Sequence, residues 1–209
     1  MPASAKLVVF LTAALLLAIA PGPGILYVLS RSLAGGKREG ILSALGTFVG
    51  GMVHVLAAAA GLSLILAQSA LAFATVKYAG AAYLCFVGVR MIIGAHSGND
   101  LPAAVESAAR RPFWQGIATE VLNPKTALFF LSFIPQFVDH RSGLIFAQFV
   151  ALGTISVILN TSADLVVIVL AGPLGEKIRS SVKFRQRQRK VTGFIMIGLG
   201  TYLATSDSR

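Results

Sequence analysis

The chain has 209 residues, of which 56% are hydrophobic and only 12% charged, and its mean hydropathy is +0.78. A soluble domain of this length carries about a quarter charged residues, so composition argues against a soluble fold and for one membrane-embedded unit over 1–209. The formal net charge of +10 would suit a nucleic-acid binder, but the basic residues cluster between apolar runs, where they speak of membrane topology.

Six apolar runs, at about 7–30, 41–68, 71–94, 113–138, 144–171 and 191–205, approach the roughly 20 residues needed to cross a bilayer. The last is short. The expected fold is all-α and polytopic, with six transmembrane helices.

The first run follows Lys6 and carries Ala18-Ile19-Ala20, a pattern like a signal peptide with its cleavage site. Pro21 would follow the cut and the apolar run resumes at Ile25, so a retained span is expected. Pro21-Gly22-Pro23-Gly24 breaks it. A membrane helix tolerates such a break only where the freed backbone groups face protein or a watery cavity.

In the second run Gly46, Gly50, His54 and Ala58 recur at every fourth position, with Gly61 three further on, so they share a helix face. Small residues there admit close helix packing. His54 either carries a coupling proton, since imidazole titrates near neutrality, or is a neutral, hydrogen-bonded packing residue. The third run holds Lys77 and the lone Cys85, so no intrachain disulfide is available; Cys85 reads as a packing residue.

The fourth run opens on Phe113 and Trp114, aromatic anchors at the boundary. Glu120 follows about seven residues in, roughly 10 Å deep by helical rise. Asn123-Pro124-Lys125 then makes a second break. Glu120 and Lys125 either pair with each other or contact a substrate. Residues after Pro23 and Pro124 begin half-helices, whose N-termini favour carboxylates. In the fifth run Ser156, Asn160 and Asp164 share a face at four-residue spacing. A lone Asp in an apolar stretch needs a partner or water. Burial disfavours a charged carboxylate, so Asp164 is a second proton-coupling candidate and Glu120 a third.

Most of the 18 basic residues fall in three loops: Arg31, Lys37 and Arg38; Arg90, Arg110 and Arg111; and Lys177, Arg179, Lys183, Arg185, Arg187, Arg189 and Lys190. By the positive-inside rule these odd loops are cytoplasmic and both termini lie outside. The last cluster could also meet anionic lipid.

Ala44-Leu45-Gly46-Thr47 recurs as Ala151-Leu152-Gly153-Thr154, and Lys77-Tyr78-Ala79-Gly80 is echoed by Lys190-Val191-Thr192-Gly193. The proline breaks are separated by a similar interval. Halves of about 1–95 and 112–209, joined by a cytoplasmic loop over 95–112, would each hold three spans and so run in opposite senses. That is the inverted-repeat plan of many secondary transporters, with broken first and fourth helices marking the binding site. The repeat would carry His54 and Asp164 toward the pseudo-two-fold axis.

Pro21-Gly22-Pro23, the second span with Gly46, Gly50 and His54, the Gly80-Ala81-Ala82-Tyr83-Leu84 segment ending at Gly88, and Leu122-Asn123-Pro124-Lys125 together resemble the LysE/RhtB family of amino-acid exporters. The likeness runs in order over nearly the whole chain. It implies a six-helix bacterial inner-membrane protein that exports amino acids or related solutes on the proton motive force. It also implies a substrate site at Pro21, Gly22, Pro23, Gly24, Asn123, Pro124 and Lys125. The family usually has Asn or Asp after Pro-Gly-Pro; this chain has Gly24, one polar ligand fewer.

No Gly-x-x-x-x-Gly-Lys-Ser/Thr occurs, so ATP drive is not expected, nor is a cofactor. His54, His96 and His140 lie far apart and suggest no metal site. The expected partners are a small-molecule substrate and the lipid bilayer, with a homodimer left open and no nucleic acid. The rival readings are a cation exporter of the same fold and an intramembrane enzyme, which would need a nucleophile or metal set beside His54 such as Ser156 or Asp164. The expectation is a transporter and no enzyme.

Overall fold

A computed structural model describes residues 4–20, 22–68, 70–94, 111–139, 142–180 and 182–205. Pro21, His96, His140, Arg141, Arg209 and positions 95–110 of the linking segment lie outside the described residues, as do the side chains of Pro124, Lys177, Arg179, Lys183, Arg185 and Arg189. The described residues form helices and short connections, with no strand among them. In order these are α1 (Ser4–Ile19), α2 (Pro23–Gln68), α3 (Ala70–Gly94), α4 (Pro112–Val121), α5 (Pro124–Leu128), α6 (Ile145–Ser180) and α7 (Val182–Thr205). A π-helical turn at Phe129–Phe133 and a 3-10 turn at Ile134–Phe137 continue α5.

Both proline breaks are present. The first ends α1 at Ile19 and restarts the helix at Pro23. The second bends the Pro112–Val121 and Lys125–Phe137 segments by 47°. The loop expected around Arg31–Arg38 is instead a single non-helical residue, Gly36, with φ 73° and ψ −170°. That left-handed φ suits glycine, so one residue redirects a 46-residue element that would otherwise measure roughly 70 Å, twice a bilayer's thickness. Arg31 is consequently no loop residue. It is buried and pairs with Glu39 at 3.0 Å across the bend. The basic stretch expected as a loop after the fifth run is likewise helical on both sides of position 181.

By length and apolarity, Pro23–Gly61, Lys77–Gly94 and Ile145–Ala171 suffice to cross a membrane among the described residues, and the bent pair makes a fourth. Lys6–Ile19 is apolar but shorter. Large apolar side chains face outward along the bundle, among them Leu15, Phe86, Ile158, Val169 and Phe194. Such continuous exposure suits lipid and not water. Inside, Phe129, Phe133 and Phe137 form a row with ring centroids 5.0 Å apart, and Phe10 joins it at 5.4 Å.

Two long helix pairs set the register of the bundle. Against α6, Thr47 of α2 meets Asp164, Gly51 meets Val157 and Val55 meets Gly153. Against α7, Ala81 of α3 meets Gly200, Cys85 meets Ile197 and Gly88 meets Gly193. In both pairs one number rises as the other falls, so the partners run antiparallel. A Cβ on Gly88 or Gly193 would lie 2.5 Å from the other's carbonyl oxygen, so these backbones touch directly.

Where α2 crosses α4, Gly46 and Gly116 approach as closely. A Cβ at Gly46 would collide with the Phe113 carbonyl oxygen, which cannot move aside. Gly198, in contrast, faces open space. Gly46→Ala should lower stability by about 1–3 kcal/mol through overpacking. Gly198→Ala should leave it unchanged or raise it by up to about 1 kcal/mol, because alanine is the better helix former. Thermal unfolding of the two variants in detergent checks the opposite signs.

Candidate functional site

The site follows from what proline removes. Helical carbonyls accept from the N–H four residues ahead, and proline has none. Pro21 therefore deprives the Leu17 carbonyl of its donor. Lys125, from the other half of the chain, supplies one. Its Nζ donates to Leu17 O at 3.1 Å and to Ala20 O at 3.0 Å, at the C-terminal end of α1. Gly22 leaves the room: a Cβ there would lie 3.0–3.1 Å from the end of the Lys125 side chain.

The second break repeats the problem. Pro124 deprives the Glu120 carbonyl of its donor. His54 Nε2 lies 2.9 Å from that oxygen and the Asn123 N–H donates to it at 3.0 Å. A carbonyl only accepts, so Nε2 bears the hydrogen. The imidazole also stacks on Phe130, with centroids 6.1 Å apart and planes 18° apart. His54 is thus a hydrogen-bonded residue that bridges α2 to the second break.

Asn123 organises the restart. Its Oδ1 accepts from the Lys125 backbone N–H at 3.1 Å, the N-cap of α5. Its Nδ2 donates to Glu120 Oε2 at 3.0 Å, and Thr126 Oγ1 donates to Oε1 at 2.6 Å. Glu120 is buried yet both oxygens are satisfied. A Cβ on Gly24 would collide with Glu120 Oε2. The glutamate therefore occupies the place of a side chain at position 24. Of the two sequence readings of Glu120 and Lys125, direct pairing is not realised: Glu120 takes neutral donors and Lys125 takes the α1 carbonyls. Arg31 and Glu39 do form an ion pair, at 3.0 Å.

Asp164 is fully buried on α6 and accepts from Thr47 Oγ1 at 3.0 Å; its Oδ1 has no partner. Ser156 Oγ on the same face is likewise unpartnered. His54 and Asp164 do not meet. Thr47 lies seven residues before His54 on α2, roughly 10 Å along the axis. The antiparallel register sets the two groups on opposite sides of the α2–α6 crossing.

A narrow cavity runs between the breaks and α6, with Thr47, Glu120, Lys125, Thr126, Ser156 and Asn160 in its walls and room for little more than a water molecule. Gly22 lies against Lys125, and Gly24 against Glu120 and Asn123; of the residues expected at the substrate site, Lys125 lines the cavity. Thr47 and Thr126 were not singled out in the sequence. Thr126 directly follows Asn123-Pro124-Lys125, and Thr47 closes the repeated Ala-Leu-Gly-Thr, which are the signals that mark them. Among the described residues no group of three or more His, Cys, Asp or Glu side chains could hold a metal ion.

A family model described as LysE type translocator matches residues 15–207. The chain is 30% identical over 204 residues to the uncharacterized membrane protein YrhP of Bacillus subtilis, covering 93% of this chain and 96% of that one. It is 33% identical over 197 residues to the uncharacterized membrane protein PA4757 of Pseudomonas aeruginosa, covering 89% and 88%. It is 29% identical over 199 residues to an uncharacterized membrane protein of Vibrio cholerae, covering 95% and 96%. No solved structure gives a significant match.

The carbonyl left by Pro124 predicts an energetic link between two side chains. His54→Phe keeps the ring on Phe130 but removes a donor from Glu120 O, and should cost about 1–3 kcal/mol. In a Pro124→Ala background the same change should cost less than half as much, because alanine restores an N–H four residues after Glu120. A double-mutant cycle by denaturant unfolding in micelles measures the difference; equal costs in the two backgrounds would show that His54 is not answering the proline.

Proposed function

The chain belongs to the LysE type translocator family, and from that premise we propose that it is a secondary transporter exporting amino acids or related small solutes from the cytoplasm, driven by the proton motive force. The observation that carries the reading is the meeting of two broken helices at one cavity, with a buried carboxylate and a half-buried ammonium in its walls. Glu120 and Lys125 are each held by neutral groups. A zwitterion can therefore address both, its ammonium toward Glu120 and its carboxylate toward Lys125 and the α5 N-terminus. The cavity is too small for such a solute as it stands, which fits an occluded state between openings to either side.

On this reading the bundle has six spans in two inverted halves, α1 with the first arm of α2 making one span and α4 with α5 another. The antiparallel registers of α2 on α6 and α3 on α7 support the inversion, since helices related by such a repeat must run in opposite senses. The protein sits in the bacterial inner membrane with its odd loops in the cytoplasm. Proton coupling is assigned to Asp164, whose buried Oδ1 has no hydrogen-bond partner and whose donor Thr47 lines the cavity, with Glu120 and His54 as further candidates.

Efflux from loaded cells and proteoliposomes tests the reading. Asn123→Leu and Pro124→Ala should each cut export of amino acids at least about tenfold, the effect of roughly 1.4 kcal/mol, while the protein still inserts. Asp164→Asn should lose concentrative export yet keep substrate counterflow. Full concentrative export by all three variants would remove the breaks and Asp164 from the mechanism. Resistance of cells to a metal salt, with no amino acid or dipeptide moved, would favour the cation exporter instead.

Orientation has its own test. In a Cys85→Ala background, cysteines placed at Lys6 and at Arg187 should react with an impermeant reagent from opposite sides of the membrane. Labelling of both from one side would overturn the two-half topology.

A further inference from the structure

We propose that the C-terminal end of α1 is a monovalent-cation site, and that the chain fills it with a cation of its own, the Lys125 ammonium, which latches the two helix breaks together.

The end of a helix carries partial negative charge on carbonyls that lack intrahelical donors. At α1 this end is defined by sequence, because Pro21 cannot donate to Leu17 O. Within a membrane such carbonyls must find a partner in protein or line a watery cavity. Discontinuous helices of secondary transporters present these ends to coupling cations. Here two carbonyl oxygens, of Leu17 and Ala20, converge at 3.1 and 3.0 Å on one nitrogen. An ammonium is a compact point charge with three donors; two are spent on α1, in a cavity wall that Lys125 shares with Glu120.

The tether is itself fixed. The Lys125 backbone N–H is capped by Asn123 Oδ1 at 3.1 Å, so the ammonium joins the end of one broken helix to the start of another. Gly22 is shaped to this arrangement, since a Cβ there would press on the last three atoms of the side chain. Separation of α1 from α5 requires the ammonium to leave its carbonyls. A shortened side chain at 125 should leave a socket that accepts a free alkylammonium or alkali cation.

The test reads thermal stability of the purified full-length protein and stands whether or not the transport reading holds. Wild type, Lys125→Ala and Lys125→Met are compared at constant ionic strength in choline, sodium and ethylammonium chloride. Wild type should show the same Tm in all three. Lys125→Ala should melt at least about 5 °C lower in choline and regain about half of the loss, saturably, in ethylammonium or sodium. Lys125→Met, whose chain fills the socket without charge, should regain nothing. A Lys125→Ala variant that folds but gains from neither cation overturns the proposal, as does equal rescue of the Met variant. If Lys125→Ala yields no folded protein, Gly22→Leu decides: a larger side chain that takes the space of the Lys125 end should lower the wild-type Tm by about 2–5 °C, and an unchanged Tm would overturn the latch.

Discussion

A proline inside an apolar helix leaves the carbonyl four residues back without its donor, and in a membrane that carbonyl can turn only to protein or to a watery cavity. The rest of the site depends on how this chain answers that constraint at Leu17 and at Glu120. Neither answer comes from the helix that poses the question alone. Lys125 crosses from the second half to serve Leu17 and Ala20, and His54 crosses from α2 to serve Glu120, beside the Asn123 N–H. The breaks are thereby stitched to each other and to α2. Both donors are groups able to carry a proton, so the repair of the backbone also brings ionisable chemistry to membrane depth.

Such stitching requires backbones to come close, and the glycines explain how. Gly46 and Gly116 let α2 lie on α4 at contact distance, which carries His54 within reach of Glu120 O. Gly24 leaves the space that Glu120 fills, and Gly22 the space that Lys125 fills. Each position trades a side chain for a neighbour's functional group. The glycines are consequently part of the site's electrostatics as well as its packing.

The sequence made the broken helices and the helical class legible, because proline and glycine act locally and their effect can be read from the residue itself. The repeat read from the sequence remains part of the proposal, with which the antiparallel registers are consistent. Partner choice was less legible. Lys125 could equally be read as pairing with Glu120, five residues away; the structure instead gives each charge to neutral groups. That choice depends on a tertiary contact, the end of α1 against the start of α5, which no local pattern encodes. His54 and Asp164 were both drawn to the pseudo-axis by the repeat interval, yet in antiparallel helices residues displaced the same way from the crossing end up on opposite sides. Gly36 was hidden for another reason: a basic, glycine-containing stretch reads as a loop, whereas one left-handed residue suffices to turn the chain and Arg31–Glu39 closes the bend.

The separation of Glu120 and Lys125 carries the last step. Had they paired, their fields would cancel and the cavity would offer a solute little beyond apolar walls and hydroxyls. Held apart, each keeps a satisfied shell of neutral partners, which limits the cost of burying it, while its charge remains effective in the low-dielectric space between. A solute with both charges can engage this dipolar cavity without leaving a net charge in the membrane. A solute with one charge would satisfy one wall and oppose the other. On the proposed reading, the selectivity for zwitterions then has its origin in Pro21. By orphaning the Leu17 carbonyl at the end of α1 it gives the ammonium a partner other than the carboxylate, and so keeps the two charges available to what passes between them.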